Sequence, residues 1–178
     1  LHTPPTVHSP EQPELPAEAM RGHLAFRSVG FRYPGAEEPV LCDISFVSRP
    51  GEITAVVGST GCGKSTLIQL IPRFYDVTDG TVEIGGRDIR SLSLDDLRAR
   101  IGYVPQRAFL FRGSVADNIR DGRPEATEEE IRHALRIAQA WTFVEEMEGG
   151  LDAPIEQGGT NVSGGQRQRL AIARALLL

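Results

Sequence analysis

The chain has 178 residues, 40% of them apolar, which suffices for one compact domain with a substantial core. Its 24 acidic and 19 basic residues give a net charge of −5, and the basic residues are scattered, so nucleic acid is not expected as a partner. No segment approaches the ~20 apolar residues that a membrane-spanning helix needs, and Cys42 and Cys62 lack the spacing of a zinc site or a disulfide framework.

The first half of the chain predicts a linker followed by strands. Residues 1–20 contain five prolines and no hydrophobic periodicity, which is typical of a linker. Short strands are predicted at Leu24–Val29 and Val40–Val47. The segment Ile53–Val57 is the most apolar of the three, as expected of a buried parallel strand.

The next segments predict a mixed α/β architecture. A helix is predicted from Gly63 to about Leu70, then a hairpin around Thr81–Gly86 and another buried strand at Ile101–Val104. From Ser114 onward the pattern favours helices.

The second half predicts a helical subdomain. Thr127 and Glu130 have the spacing of a capping box, ahead of an amphipathic run to about Ala140. The final helix is predicted to start near Ser163 and to reach Leu178, where the sequence stops on an apolar run without a capping residue. We therefore expect a fold that is incomplete at its C-terminus.

A glycine-rich segment between the predicted strand and helix matches G-x-x-x-x-G-K-[ST], with Gly58, Gly63, Lys64 and Ser65 at the defining positions. Glycines let backbone N–H groups converge on phosphates, and Lys64, the only lysine beside 18 arginines, supplies a compact positive charge. The alternative is a turn that merely reverses the chain. The predicted phosphate-binding residues are Gly58, Ser59, Thr60, Gly61, Cys62, Gly63, Lys64, Ser65 and Thr66.

A second glycine-rich helix start follows about a hundred residues later. Ser163 and Gln166 have capping-box spacing, and Gly164 and Gly165 between them leave backbone N–H groups uncovered. The segment is interpreted as a second anion site, and the alternative is an ordinary capped surface helix.

The two motifs together resemble the nucleotide-binding domain of ABC transporters over about Leu24–Leu178. The segment Val162–Arg169 is similar to the signature motif of that family, with valine in place of the usual first leucine, and Leu170–Leu176 is also similar to it. The resemblance implies a P-loop NTPase (RecA-like) α/β core with an antiparallel β subdomain and a helical subdomain. The implied boundaries are a linker at 1–20, the core with its β subdomain at 21–106, the helical subdomain at 107–162 and the truncated signature helix at 163–178.

The resemblance also implies roles for two further residues. Tyr33 matches the aromatic residue that stacks on adenine, and the alternative is a core or edge-strand tyrosine. Gln106 matches the glutamine that contacts Mg²⁺ or the attacking water, although it could be a generic loop residue. ATP and Mg²⁺ are the implied ligands, with Lys64 and Gln106 as catalytic residues and with Ser65 and Gln106 on the metal.

Two segments resemble the exporter subclass. Phe109–Ile119 corresponds to a region that faces the membrane domain, although its aromatic residues could simply be core. Glu156–Asn161 resembles a loop that senses the membrane domains, but it departs from the commoner version. The implied partners are a transmembrane domain of the same polypeptide and a second nucleotide-binding domain, in a homo- or heterodimer at the cytoplasmic face of a bacterial membrane.

In such a dimer, Lys64 and Ser65 of one domain face Ser163 and Gly165 of the other across a shared ATP. Two other functions stay open at this point. One is a non-transport ABC ATPase that acts on nucleic acid, and the other is a hydrolysis-deficient regulatory half of a heterodimeric exporter. A glutamate after the aspartate of the strand expected beyond Leu178 would favour an active ATPase.

We predict that the isolated 178-residue chain binds nucleotide weakly and hydrolyses ATP very slowly, because the family's general base and switch histidine are expected beyond Leu178. Phosphate release from MgATP by the purified chain, compared with the full-length protein, measures this. Turnover by the isolated chain at the full-length rate would contradict the prediction.

Overall fold

The computed structural model describes residues 7–14 and 20–177, and the chain divides into two compact units, residues 1–98 and 99–178. Much of the predicted linker, residues 1–6 and 15–19, lies outside the described residues, as does Leu178. Glu14 contacts the rest of the first unit, since its amide donates to the Ser91 carbonyl at 2.8 Å and its carboxylate pairs with Arg87 at 3.2 Å.

Both units combine short strands with helices. In the first unit the elements are β1 (Leu24–Phe31), β2 (Leu41–Ser48), α1 (Lys64–Leu70), β3 (Asp79–Ile84), β4 (Arg87–Asp88) and α2 (Leu94–Arg98). In the second unit they are β5 (Gly113–Ser114), α3 (Val115–Arg120), α4 (Glu128–Ile137), α5 (Trp141–Glu146), β6 (Pro154–Ile155) and α6 (Gly164–Leu176).

The first unit is built on an antiparallel sheet with the strand order β2-β1-β3-β4. Phe26 of the central strand β1 lies opposite Phe46 on one side and Val82 on the other, and the Phe26 and Phe46 rings stack with centroids 4.7 Å apart. Cross-strand aromatic and β-branched pairs of this kind stabilise a sheet. The sheet confirms the predicted antiparallel β subdomain, its first two strands and its hairpin.

A glycine permits the close approach of β1 and β3. Gly80 has φ +72°, and a Cβ atom at this position would lie 2.3 Å from the carbonyl oxygens of Arg27 and Ser28. No other residue type fits both this backbone conformation and this space. The β1–β3 register therefore depends on Gly80.

Two of the strand predictions are wrong. Ile53–Val57 and Ile101–Val104 have no regular secondary structure, and Ile53 and Val57 are 99% and 88% exposed. A parallel strand is held by hydrogen bonds from the strands on either side of it. Within the described ranges, no strand pairs with either segment, so the apolar composition alone does not make them strands.

The second unit packs its helices around one apolar cluster, as predicted for a helical subdomain. Fully buried side chains from α3, α4 and α6 lie at its centre, including Ile119, Leu135 and Leu170. The cluster extends to the short β5–β6 ribbon, in which Gly113 pairs with Ile155. None of the helices described in either unit combines the length and the apolar composition that crossing a membrane requires.

Helix α4 begins with the predicted capping box. The Thr127 hydroxyl accepts from the Glu130 amide at 3.3 Å, and the Glu130 carboxylate accepts from the Thr127 amide at 2.8 Å. The pKa of Glu130 is lowered from its ordinary value of 4.5. The largest cause is the hydrogen bond from the Thr127 amide, followed by those from the Thr127 hydroxyl and Arg123. A third capping box, formed by Ser114 and Asp117 at the start of α3, was not predicted.

We predict that Thr127→Ala lowers the free energy of unfolding by about 1 kcal/mol, because helix α4 loses its N-cap. Since the folded-state pKa of Glu130 is depressed, its contribution is present above its ordinary value of 4.5 and is lost as the pH falls through the lower folded value. Thr127→Ala keeps the backbone amide that lowers this pKa most and removes the contribution of the hydroxyl, so the variant should lose slightly less stability than the parent in that acidic window. Urea unfolding at several pH values measures both effects.

The control for this variant is Thr142→Ala, which changes an exposed threonine inside α5. Equal losses of stability in the two variants would contradict the capping role of Thr127.

Candidate functional site

The glycine-rich loop Gly58–Thr66 leads directly into helix α1. Gly63 caps the helix in the left-handed conformation with φ +91°, and a Cβ atom there would lie 2.8 Å from Leu41 Cδ2 and 3.2 Å from the Val40 carbonyl oxygen. Glycine is thus required both by the backbone angle and by contact with the start of β2. Sequence and packing together fix the point where the loop turns into the helix.

Lys64 holds the loop in a compact curve. Its Nζ donates to the carbonyl oxygen of Gly58 at 2.9 Å and to that of Ser59 at 2.6 Å, and it lies 3.6 Å from Cys62 Sγ. The Cys62 sulfur lies 2.6 Å from the position that a Cβ atom on residue 58 would occupy, so glycine is needed there. The ammonium group is therefore hydrogen-bonded to the backbone of its own loop.

Helix α1 leaves polar groups available at this end. The first intrahelical bond runs from the Leu67 amide to the Gly63 carbonyl, so the amides of Lys64, Ser65 and Thr66 have no partner within the helix. Ser65 is exposed, and its hydroxyl has no hydrogen-bond partner among the residues that the structure describes. The loop thus presents N–H groups, a hydroxyl and an ammonium group on one short segment.

Tyr33 lies beside the start of α1. Its hydroxyl is 3.0 Å from the hydroxyl of buried Thr66, and its ring meets Phe31 and Tyr75 edge-on, with centroids 4.8 and 5.3 Å apart. The structure therefore brings the predicted Tyr33 next to the predicted loop. Sequence reasoning missed Tyr75, because an aromatic residue five positions after a helix carries no signal of its own.

Gln106 is exposed and lies in an irregular segment of the second unit. The adjacent Pro105 carbonyl accepts from Gln168 Nε2 at 3.4 Å, which connects this segment to helix α6. The loop Gly58–Thr66 belongs to the first unit, so a shared site with Gln106 stays a prediction.

The second glycine-rich motif forms the predicted capped helix start. The Gln166 amide donates to Ser163 Oγ at 3.2 Å, and the Ser163 amide donates to Gln166 Oε1 at 2.8 Å. Gly164 and Gly165 are exposed, and a Cβ on Gly165 would meet nothing within 4 Å. The capping box of α6 is thus confirmed, with open space over its first turn.

Arg167 holds the loop that precedes this helix start. Its Nη1 donates to the carbonyl oxygens of Gly159 and Val162 at 2.9 and 2.8 Å. The segment before the signature is thereby fixed to the first turn of α6. This role could not be predicted, because it depends on how the preceding loop folds back.

Comparison with known proteins places these motifs in a family. A family model described as ABC transporter matches residues 41–178. An uncharacterised ABC transporter ATP-binding protein of Mycobacterium tuberculosis is 51% identical over 99% of the chain and 31% of its own length. An ATP-dependent lipid A-core flippase of Thiobacillus denitrificans is 49% identical over 89% of the chain and 28% of its own length.

Further relatives agree with this assignment. A β-(1→2)glucan export ATP-binding/permease protein of Rhodopseudomonas palustris is 49% identical over 90% of the chain and 26% of its own length. The solved structure of a bacterial Atm1-family ABC exporter with ATP bound matches 97% of the chain and 30% of its own, with a TM-score of 0.89 and 35% identity. The chain thus spans less than a third of the length of these relatives. It belongs to the ABC transporter family, with the P-loop fold of that family's ATP-binding part.

Proposed function

We propose that this chain is the ATP-binding part of a bacterial exporter, in which binding and hydrolysis of MgATP drive transport across a membrane. The observation that carries the proposal is the loop Gly58–Thr66, in which the Lys64 ammonium group and the amides without a partner within helix α1 lie on one short segment. The names of the relatives, an export ATP-binding/permease protein and a flippase among them, support the direction of transport.

In this proposal Lys64 and the first amides of α1 bind the phosphates. Phosphate oxygens are stronger acceptors for an ammonium group than neutral carbonyls, so Lys64 can exchange the carbonyls of Gly58 and Ser59 for them. The amides of Lys64, Ser65 and Thr66 add donors at the positive end of the helix dipole. Both features favour a polyphosphate over a neutral ligand.

Ser65 fits a magnesium site, because its exposed hydroxyl has no competing partner within the described part of the chain. Mg²⁺ prefers oxygen ligands and usually combines one or two protein groups with substrate phosphates. In this proposal Ser65 and Gln106 would hold the ion, which would supply positive charge beside the phosphates of the nucleotide.

Tyr33 is assigned to the adenine. Its hydroxyl bond to Thr66 and its contacts with Phe31 and Tyr75 fix the ring beside the loop. An aromatic ring stacks on a base with little demand for specific hydrogen bonds. Since the Thr66 hydroxyl is used by Tyr33, Thr66 contributes to the nucleotide through its amide.

The helix start at Ser163 is assigned to the nucleotide of a second nucleotide-binding domain. Gly164 and Gly165 leave the first turn of α6 open, and the N-terminus of a helix attracts anions. In the dimer, Ser163 and Gly165 complete the site that Lys64 and Ser65 of the other domain begin. Nucleotide closes the dimer and hydrolysis reopens it, which moves a membrane domain of the same polypeptide.

We predict that Lys64→Ala weakens binding of MgATP to the full-length protein by on the order of tenfold to a hundredfold, because a hydrogen bond to a charged group is worth ~1.5–3 kcal/mol. Lys64→Arg should also weaken binding, since a planar guanidinium cannot occupy the place of Nζ between two loop carbonyls. Titration calorimetry with a non-hydrolysable ATP analogue measures both.

Arg49→Gln is the control for these variants, because it removes a positive charge from an exposed pair with Glu52 in the same unit. Unchanged affinity in Lys64→Ala would contradict the assignment of the loop to phosphate.

We predict that Gly165→Asp leaves nucleotide binding to the separate domain intact but lowers ATP hydrolysis by roughly tenfold or more, because a carboxylate at the helix start repels the phosphates of the nucleotide held by the opposing domain. Open space around Gly165 makes the substitution compatible with folding. Gly165→Ala is the matched control, which adds a Cβ without charge. If the two variants hydrolysed ATP at the same rate, the role of this helix start would be refuted.

A further inference from the structure

Two exposed aromatic rings stand out on the second unit. Phe109 and Phe111 are 47% and 46% exposed, and their rings meet edge-on with centroids 5.5 Å apart. The intervening Leu110 is fully buried in the apolar cluster of this unit. The segment is therefore anchored by one side chain and presents the other two, which we call the aromatic pair, at the surface.

The backbone of this segment is held by Asn118 of helix α3. Asn118 is 2% exposed, its Oδ1 accepts from the Phe111 amide at 2.8 Å, and its Nδ2 donates to the carbonyls of Phe111 and Ser114 at 2.9 and 3.0 Å. A buried amide with its donors and acceptor in use strongly specifies one local geometry. Asn118 thus fixes the position of Phe111.

Arg174, near the end of helix α6, reaches the same segment. Its Nε donates to the Asn118 carbonyl at 2.7 Å, its Nη2 to Asn118 Oδ1 at 3.0 Å and its Nη1 to the Phe109 carbonyl at 3.3 Å. The guanidinium carbon also lies 5.4 Å from the centre of the Phe111 ring, within cation–π distance. One side chain therefore contacts both members of the aromatic pair and the residue that holds them.

The opposite end of α6 is connected to the same surface. The Gly158 amide donates to the Leu110 carbonyl at 2.8 Å, and the loop that contains Gly158 is fixed to the start of α6 by Arg167. Helix α6 is a single uninterrupted helix from Gly164 to Leu176. Helix α6 is thus connected to the segment of the aromatic pair at two points, through Arg174 and through the loop that Arg167 holds.

We propose that Arg174 and Asn118 are positioning residues that join the aromatic pair to helix α6, so that the Ser163 end and this surface move as one body when nucleotide binds. The inference rests on the proposed function, which supplies the nucleotide at Ser163. Arg174 is suited to this task because its planar fork makes several hydrogen bonds in a fixed geometry. Burial lowers the pKa of this guanidinium from its ordinary value, and the charge is stabilised by carbonyl and amide oxygens.

The test is amide hydrogen exchange in the full-length protein with and without MgATP and vanadate. In the parent, we expect exchange in residues 109–118 and in residues 163–168 to change together on addition of nucleotide. In Arg174→Gln, the Phe111 amide should exchange on the order of tenfold faster, because its acceptor Asn118 loses a positioning partner. The nucleotide response of residues 109–118 should be lost, while that of 163–168 and the affinity for MgATP are kept.

Arg132→Gln is the matched control, because Arg132 also lies 5.4 Å from an aromatic ring, that of Trp141, but does not contact the aromatic pair. If Arg174→Gln does not fold, Arg174→Lys decides the question, since it keeps the charge but not the fork. A normal nucleotide response of residues 109–118 in the folded Arg174 variant overturns the inference. A parent protein that does not bind MgATP overturns the proposed function and this inference with it.

Discussion

The ammonium group of Lys64 lies between two backbone carbonyls of its own loop, and the shape of the first unit's functional segment depends on that contact. Three of the six residues 58–63 are glycines, whose backbone loses more conformational freedom on folding than that of any other residue. Lys64 supplies the missing constraint from the first residue of helix α1. The left-handed Gly63 then connects this loop to the helix and packs it against β2.

In the second unit, two arginines of helix α6 hold the backbone in a similar way. Arg167 and Arg174 lie about two turns apart on α6. Arg167 donates to carbonyls of the loop before the helix, and Arg174 donates to the carbonyls of Phe109 and of Asn118 in α3. Arginine is well suited to this, because its donors lie in a fixed plane and reach several acceptors at once. Helix α6 consequently organises its own N-terminal approach and the surface that carries Phe109 and Phe111.

In the proposed function, the two constructions have different tasks. The Lys64 loop has neutral carbonyl partners that phosphate oxygens can replace, whereas the α6 contacts are buried or half-buried and hold loops in one arrangement. Membership in the ABC transporter family is consistent with such a division of roles.

Much of the local structure could be predicted from the sequence. The strands around Phe26 and Phe46, helix α1, and the capping boxes at Thr127 and Ser163 all depend on residues close together in the chain. The same holds for the two glycine-rich motifs, since four or five residue types at fixed spacing specify each of them.

Only the tertiary structure decided the contacts that join distant segments. Tyr33 meets Thr66 and Tyr75, and Arg174 meets Asn118, because the fold brings side chains together that no local pattern relates. The same reasoning explains the two strands that were predicted wrongly. By itself the sequence determined where helices α1, α4 and α6 begin and where the two glycine-rich motifs lie, because those features are local. Whether Ile53–Val57 joins a sheet depended on a neighbouring strand to accept its backbone hydrogen bonds, and that is a property of the whole fold.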